Sequence, residues 1–202
     1  MAFFPFFIDI SDRNILIVGG GKVALRKAEK LLPFGADIAA VSPVFCEGFT
    51  ALGTVSLYCR KFRDSDIDGA FAVIAATDDR ALNGHICRIC SERNILVNTV
   101  DDPENCGFYF PALAQSGNVT CGISTGGASP VFARYIKEKV TGVLDEKTMA
   151  AGEILARHRP VVRQMFDTEE QRRKAAERLL ERCTDGGELP TDKEINELLE
   201  SL

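Results

Sequence analysis

The sequence predicts an α/β fold: a doubly wound parallel sheet in the N-terminal half, then a short segment of mixed character, then a helical C-terminal domain. Three observations carry this. Short, continuously apolar, β-branched runs recur between residues 15 and 100, as strands covered on both faces require. Helical patterns alternate with those runs, which is how βαβ units read in sequence. From Asp145 onward strand signals vanish and apolar residues recur at helical spacing.

The elements follow in order. The start, Met1-Ala2-Phe3-Phe4-Pro5-Phe6-Phe7-Ile8, is apolar but has no basic flank, and Asp9 and Asp12 soon interrupt it. It reads as a first segment packed along the sheet and not as an export signal. Ile15-Leu16-Ile17-Val18 is a buried strand ending in Gly19-Gly20-Gly21. A helix runs from Lys22 to about Leu32, where Pro33 and Gly35 stop it, and residues 36–41 form the second strand. Residues 55–58, 71–76 and 95–100 read as further strands, and Thr77-Asp78-Asp79 caps a helix reaching about Arg93. After Asp101-Asp102-Pro103 the character changes. Residues 119–123 read as a strand, residues 124–128 as a flexible turn, and Ser129-Pro130 opens a helix to about Val140. Ile154, Leu155, Val161, Val162, Met165 and Phe166 recur at helical spacing, with a kink expected at Pro160. Thr191-Asp192-Lys193-Glu194 is a capping box. The expected domains are 1–112, 113–144 and 145–202.

Composition narrows the function classes. The 202 residues are 46% hydrophobic, enough for a substantial core. Net charge is -5 and the pI near 5.2, so no global basic field draws the chain to nucleic acid or a membrane. No apolar run approaches the roughly 20 residues of a membrane-spanning helix. Seven irregularly spaced cysteines read as reduced thiols of a cytoplasmic protein.

Gly19-Gly20-Gly21-Lys22-Val23-Ala24 fits G-x-G-x-x-A. It follows a strand and opens a helix within a βαβ unit, the context that gives the motif meaning, so the domain reads as Rossmann-like and dinucleotide-binding. Gly19 permits the tight turn, Gly21 lets main chain approach a pyrophosphate, and Ala24 allows close helix–strand packing. The acidic residue that usually follows the second strand is missing, for the segment reads Ser42-Pro43-Val44, and no arginine stands there either. The cofactor would rest on main-chain groups and the Ser42 hydroxyl, and local residues only weakly favour NAD over NADP. Thr77, at the end of the strand over 71–76, joins this set. Asp101 lies at the carboxyl end of the strand over 95–100, where ligands of open sheets bind. It could accept a proton as hydride leaves a substrate, orient substrate N–H groups or hold a metal ion. Arg134, Lys137 and Lys139 form one basic run; Arg157, His158, Arg159 and Arg163 form another. Cys87-Arg88-Ile89-Cys90 sits inside a helix with no second ligand pair, and no metal site is read from the residues. His85 reads as a helix residue with a local hydrogen bond.

Several passages together carry a family resemblance. They are Ile15 to Lys27, Ala75-Ala76-Thr77-Asp78-Asp79, Asn98-Thr99-Val100-Asp101, Phe108-Tyr109-Phe110-Pro111-Ala112, and Ile123 to Arg134. This set resembles precorrin-2 dehydrogenase, which is also the N-terminal module of siroheme synthase. The resemblance implies NAD-dependent oxidation of precorrin-2 to sirohydrochlorin, with iron insertion in some members. It also implies a homodimer with a dimerisation segment at 113–144. The catalytic aspartate falls on Asp101, and cofactor contacts on Gly19, Gly20, Gly21, Lys22, Val23, Pro43 and Val44. A serine phosphorylated in a fused bacterial relative corresponds to Thr125. The implied substrate carries many carboxylates, so Ser124, Thr125, Gly126, Arg134 and Lys137 are the candidate substrate-binding set. Two other readings of the residues stand beside this one: a non-catalytic NAD-binding redox sensor, and a Rossmann methyltransferase using S-adenosylmethionine.

Overall fold

The computed structural model describes residues 4–100 and 106–202. Asp101, the expected catalytic residue, lies outside the described residues. The chain forms two compact units, residues 6–110 and residues 1–5 with 111–202.

The first unit holds β1 (Asn14–Val18), α1 (Lys22–Leu31), β2 (Asp37–Ser42), α2 (Gly48–Ala51), β3 (Ser56–Cys59), β4 (Ala72–Ala75), α3 (Arg80–Glu92) and β5 (Leu96–Thr99). The strands form one parallel sheet in the order β3-β2-β1-β4-β5, with Ile17 level with Ala40 on one side and Ile74 on the other. This is the expected doubly wound sheet, and its order reverses between β1 and β4, the crevice where such folds bind ligands. Successive strand residues point to opposite faces. Ile15, Ile17, Ile38 and Ile74 therefore pack with Ala24 and Ala28 of α1, while Leu16, Val18, Val73 and Val97 pack with Ile86, Cys87 and Cys90 of α3. Ala24 and Ala28 have no exposed surface. A methyl side chain at each lets the helix lie close to the sheet, as the motif requires.

The second unit holds the antiparallel pair β6 (Ala112–Ser116) and β7 (Val119–Ile123), then α4 (Pro130–Val143), α5 (Glu146–Met165), α6 (Glu169–Thr184) and α7 (Asp192–Glu200). Gly117, with φ of 50°, takes the first place of the two-residue turn between β6 and β7. A core of Ala151, Ile154, Val162, Ala175, Leu179, Ile195 and Leu199 joins the last three helices. The expected capping box at Thr191 forms: its hydroxyl oxygen accepts the Glu194 N–H while the Glu194 carboxylate accepts the Thr191 N–H.

One local expectation needs correction. The first segment does not pack along the sheet over residues 4–8, since Phe6 and Phe7 are 78% and 79% exposed. Both faces of the sheet are already occupied, and Ile10 is the first residue of this stretch to reach the core. α5 continues through Pro160 to Met165, and the chain leaves the helix only at Phe166. There Thr168 opens α6 with a second capping box, closed by Gln171.

Candidate dinucleotide-binding site

β1 ends at Val18, and the chain turns where the Gly19 N–H donates to the Val41 carbonyl at 2.9 Å. Gly19 has φ of 128°, and a Cβ there would lie 2.3 Å from the Ala76 carbonyl oxygen. At Gly20 a Cβ would meet the Val44 carbonyl oxygen at 2.0 Å and Ser42 Oγ at 2.8 Å. The Gly20 carbonyl in turn accepts the Cys46 N–H at 2.8 Å. These two glycines are thus demanded by the protein's own main chain. Gly21 is different: a Cβ there would meet nothing within 4 Å, and its φ of -84° is open to any residue. The main chain at Gly21 faces open space.

α1 begins at that bare corner. Gly21 is its N-cap, no side chain caps it, and its first turn holds no acidic residue. The N-termini of α3, α4, α5, α6 and α7 are each capped by a side-chain oxygen, from Asp79, Ser129, Asp145, Thr168 and Thr191. The first-turn N–H groups of α1 and the helix dipole are therefore left for an anion from outside the chain. Shape and charge both fit a diphosphate.

The neighbouring residues complete the rim. Ser42 Oγ donates to the Val44 carbonyl at 2.7 Å, so this hydroxyl shapes the loop that crowds Gly20. Pro43 and Val44 are exposed beside it. At the end of β4, Thr77 is held by Asn83, a residue the sequence reading passed over. The Thr77 hydroxyl donates to Asn83 Oδ1 at 2.7 Å, and Asn83 Nδ2 donates to the Thr77 carbonyl at 2.9 Å. At the end of β5, Thr99 Oγ1 is buried with no hydrogen-bond partner among the described residues. The cofactor candidates Gly19 to Val23, Ser42 to Val44 and Thr77 thus gather at the carboxyl ends of β1, β2 and β4.

The substrate candidates belong to the second unit. Ser124 Oγ accepts the Gly126 N–H at 3.2 Å, and Thr125 Oγ1 accepts the Ser129 N–H and donates to the Ser129 carbonyl, both at 3.2 Å. These bonds hold the turn before α4. Arg134 and Lys137 stand exposed one turn apart on that helix, with no carboxylate partner among the described residues. The other basic run divides: Arg157 reaches Asp192 at 3.7 Å, and His158 is buried with Nδ1 2.9 Å from the Ile154 carbonyl.

Cys87 and Cys90 lie buried against the sheet, and burial pushes the Cys90 thiol up to about 11. A thiol so far from ionisation is a poor nucleophile or metal ligand, so the pair packs as small apolar side chains. His85 Nδ1 lies 3.1 Å from the Arg88 guanidinium on its own helix, the expected local contact, and its Nε2 lies 2.8 Å from Asp64.

Asn98 and Lys27 fall within the resemblance passages, but no role was read for either. Lys27 Nζ donates to Asn98 Oδ1 at 3.3 Å and stands 3.7 Å from the centre of the Phe110 ring. An asparagine within the apolar run Ile95 to Val100 was the available signal.

The geometry separates two kinds of glycine substitution. Gly21→Val should cost about 1 kcal/mol or less, the N-cap preference of glycine over valine, because nothing in the protein stands against the added side chain. It should abolish NAD binding in a calorimetric titration. Gly20→Ala should lower the unfolding temperature, because its methyl would strike main chain. Retained NAD affinity in the Gly21 variant would place the diphosphate elsewhere.

Comparison with known proteins agrees with this geometry. Residues 6–112 match the family described as "Putative NAD(P)-binding". The chain is 40% identical over 184 residues to a siroheme synthase of Thioalkalivibrio sulfidiphilus, covering 90% of this chain and 38% of that one. It is 39% identical over 176 residues to the siroheme synthase of Photorhabdus laumondii, covering 86% and 37%. The chain thus spans well under half the length of these curated relatives. A solved structure, "SirC, precorrin-2 dehydrogenase", superposes with a TM-score of 0.76 at 24% identity over 98% of both chains, and so shares the fold. With more than half its length matched, from before β1 to the first residue of β6, this chain belongs to the NAD(P)-binding family.

Proposed function

We propose that this chain oxidises precorrin-2 to sirohydrochlorin with NAD, a step of siroheme biosynthesis. The observation that carries this reading is the open main-chain corner at Gly21, in a chain similar over nine-tenths of its length to part of a siroheme synthase. When bound, the nicotinamide supplies the hydride acceptor. The turn from Gly19 to Val23 grips the diphosphate. The segment Ser42-Pro43-Val44 offers no guanidinium to a 2′-phosphate, which favours NAD over NADP. Asp101 takes the proton that leaves the substrate as the hydride departs, so that one two-electron oxidation releases one proton.

The substrate's carboxylates need cations that no internal acid neutralises. Arg134 and Lys137 meet that condition, with Ser124, Thr125 and Gly126 shaping the turn ahead of them. The substrate is a small molecule; neither nucleic acid nor a membrane is a partner. The chain's net charge of -5 disfavours polyanionic surfaces, and no helix among the described residues is long and apolar enough to cross a membrane. The chain works in the cytoplasm, where its seven cysteines stay reduced. It does so as a homodimer. The apolar side chains of α4 support the dimer: Val131, Phe132 and Tyr135 are 79%, 55% and 51% exposed, with the two rings stacked at 6.2 Å. A partner copy would cover them.

The direct test is an anaerobic assay with precorrin-2 and NAD, following product absorption. Turnover that disappears in Asp101→Ala while NAD affinity persists supports the reading. NAD binding without turnover would make the chain a binding module instead. Arg134→Glu should raise KM for precorrin-2 by roughly tenfold or more, the scale of one lost charge-assisted contact, and leave NAD affinity unchanged. Equal effects on both ligands would remove Arg134 from the substrate site. Phe132→Asp should convert a dimer to a monomer in sedimentation, and a dimer that survives it would place the interface elsewhere.

A further inference from the structure

Lys27 joins three stretches of chain. It projects from α1, the helix that opens at the phosphate cradle, and its ammonium donates to Asn98 Oδ1 on β5 at 3.3 Å. The same ammonium lies against the ring of Phe110, on the chain that returns after residues 101–105. Asn98 is 5% exposed and passes the contact on, its Nδ2 donating to the Phe108 carbonyl at 2.9 Å. The return is pinned to β5 twice more. The Cys106 sulfur accepts the Thr99 N–H and donates to the Thr99 carbonyl, both at 3.2 Å, and the Gly107 N–H donates to the Val97 carbonyl at 2.8 Å.

This arrangement is a poor way to gain stability. Among the described residues no carboxylate pairs with Lys27. The charged or titratable groups around it among the described residues are Arg26 and Lys30 on its own helix and the Cys106 thiol on the return, while β5 presents the neutral Asn98. Burial, helped by repulsion from Lys30, lowers Lys27 from 10.5 to about 8. The surroundings thus disfavour the charged form. An apolar side chain of similar length would fill the place without that desolvation cost.

We propose that Lys27 is a positioning residue: through Asn98 and Phe110 it ties the cradle helix to the end of β5 and to the chain at Phe108 and Phe110, and so fixes the end of β5 relative to the cradle. The consequence for catalysis rests on the proposed function, because Asp101 follows the end of β5 by two residues in sequence; the clamp itself does not. The sign of the pH effect follows from the lowered value. Below pH 8 Lys27 is charged whether the chain is folded or unfolded, and its cost is fully present. Between about 8 and 10.5 the unfolded chain holds the proton and the folded chain does not, so stability rises with pH across that window.

The test uses the full chain with Lys27→Met, Asn98→Leu and the double variant. Lys27→Met should be at least as stable as the parent at pH 7 and should lose the gain above pH 8. Its Thr99 and Gly107 amides should exchange hydrogen about tenfold faster or more, with β1 unchanged. With precorrin-2 and NAD, kcat should fall by about tenfold or more while both KM values stay within about twofold, the signature of misplacement in place of lost binding. Asn98→Leu should reproduce the faster exchange and the lower kcat, and the double variant should add little. Unchanged exchange at both amides overturns the proposal. So does a fall in kcat that merely tracks a lower unfolding temperature. A parent chain that never turns over precorrin-2, but whose amides respond to Lys27→Met, would overturn the proposed function and leave the clamp standing.

Discussion

Main-chain crowding at one corner governs the rest of the first unit. Gly19 and Gly20 sit where a single added carbon would strike the carbonyls of Ala76 and Val44. Those carbonyls follow β4 and β2, so the turn after β1 is wedged between the exits of its two neighbouring strands. The wedge fixes where α1 starts, and Ala24 and Ala28 let the helix lie flat on Ile17, Ile38 and Ile74. The uncapped helix end is then held at the crevice where the strand order reverses. An anion site there would be a result of packing as much as of chemistry.

The sheet was legible because its strands are short, apolar and β-branched, and because glycine, proline and capping residues punctuate them. Ile15 to Val18, Ala72 to Ala75 and Val119 to Ile123 fall within a residue of the expected bounds. β6 was missed because Ala112-Leu113-Ala114-Gln115-Ser116 has little β-propensity of its own. It is a strand because Gly117 lets the chain fold back on β7 and α4 packs against it. The α6 boundary was missed although Thr168-Glu169-Glu170-Gln171 carries the same capping-box spacing as Thr191 to Glu194.

Part of the site was equally visible. Gly19, Gly20 and Gly21 announce themselves by spacing, and the motif already assigns Gly19 to the turn and Gly21 to the approach of a ligand; what sequence alone could not show is that Gly20 is demanded by the Val44 carbonyl. The structure gives the inner pair to the fold and leaves Gly21 to a ligand. Asn83 and Asn98 were given no role, although Asn98 stands out as a polar residue within an apolar strand. Their roles depend on Thr77 six residues back and on Phe108 ten residues ahead, contacts that only the folded chain creates. Likewise Lys27 reads as one more solvated helix lysine until α1 is laid beside β5.

That division of labour has an evolutionary side. Cellular proteases and chaperones recognise unfolding and are indifferent to an empty crevice. A substitution at Gly19 or Gly20 damages the packing and is purged as a misfolded chain. One at Gly21 would yield a well-folded product that has simply gone blind to its coenzyme. Such a chain would accumulate normally, so the burden of keeping position 21 bare falls on selection for ligand binding alone.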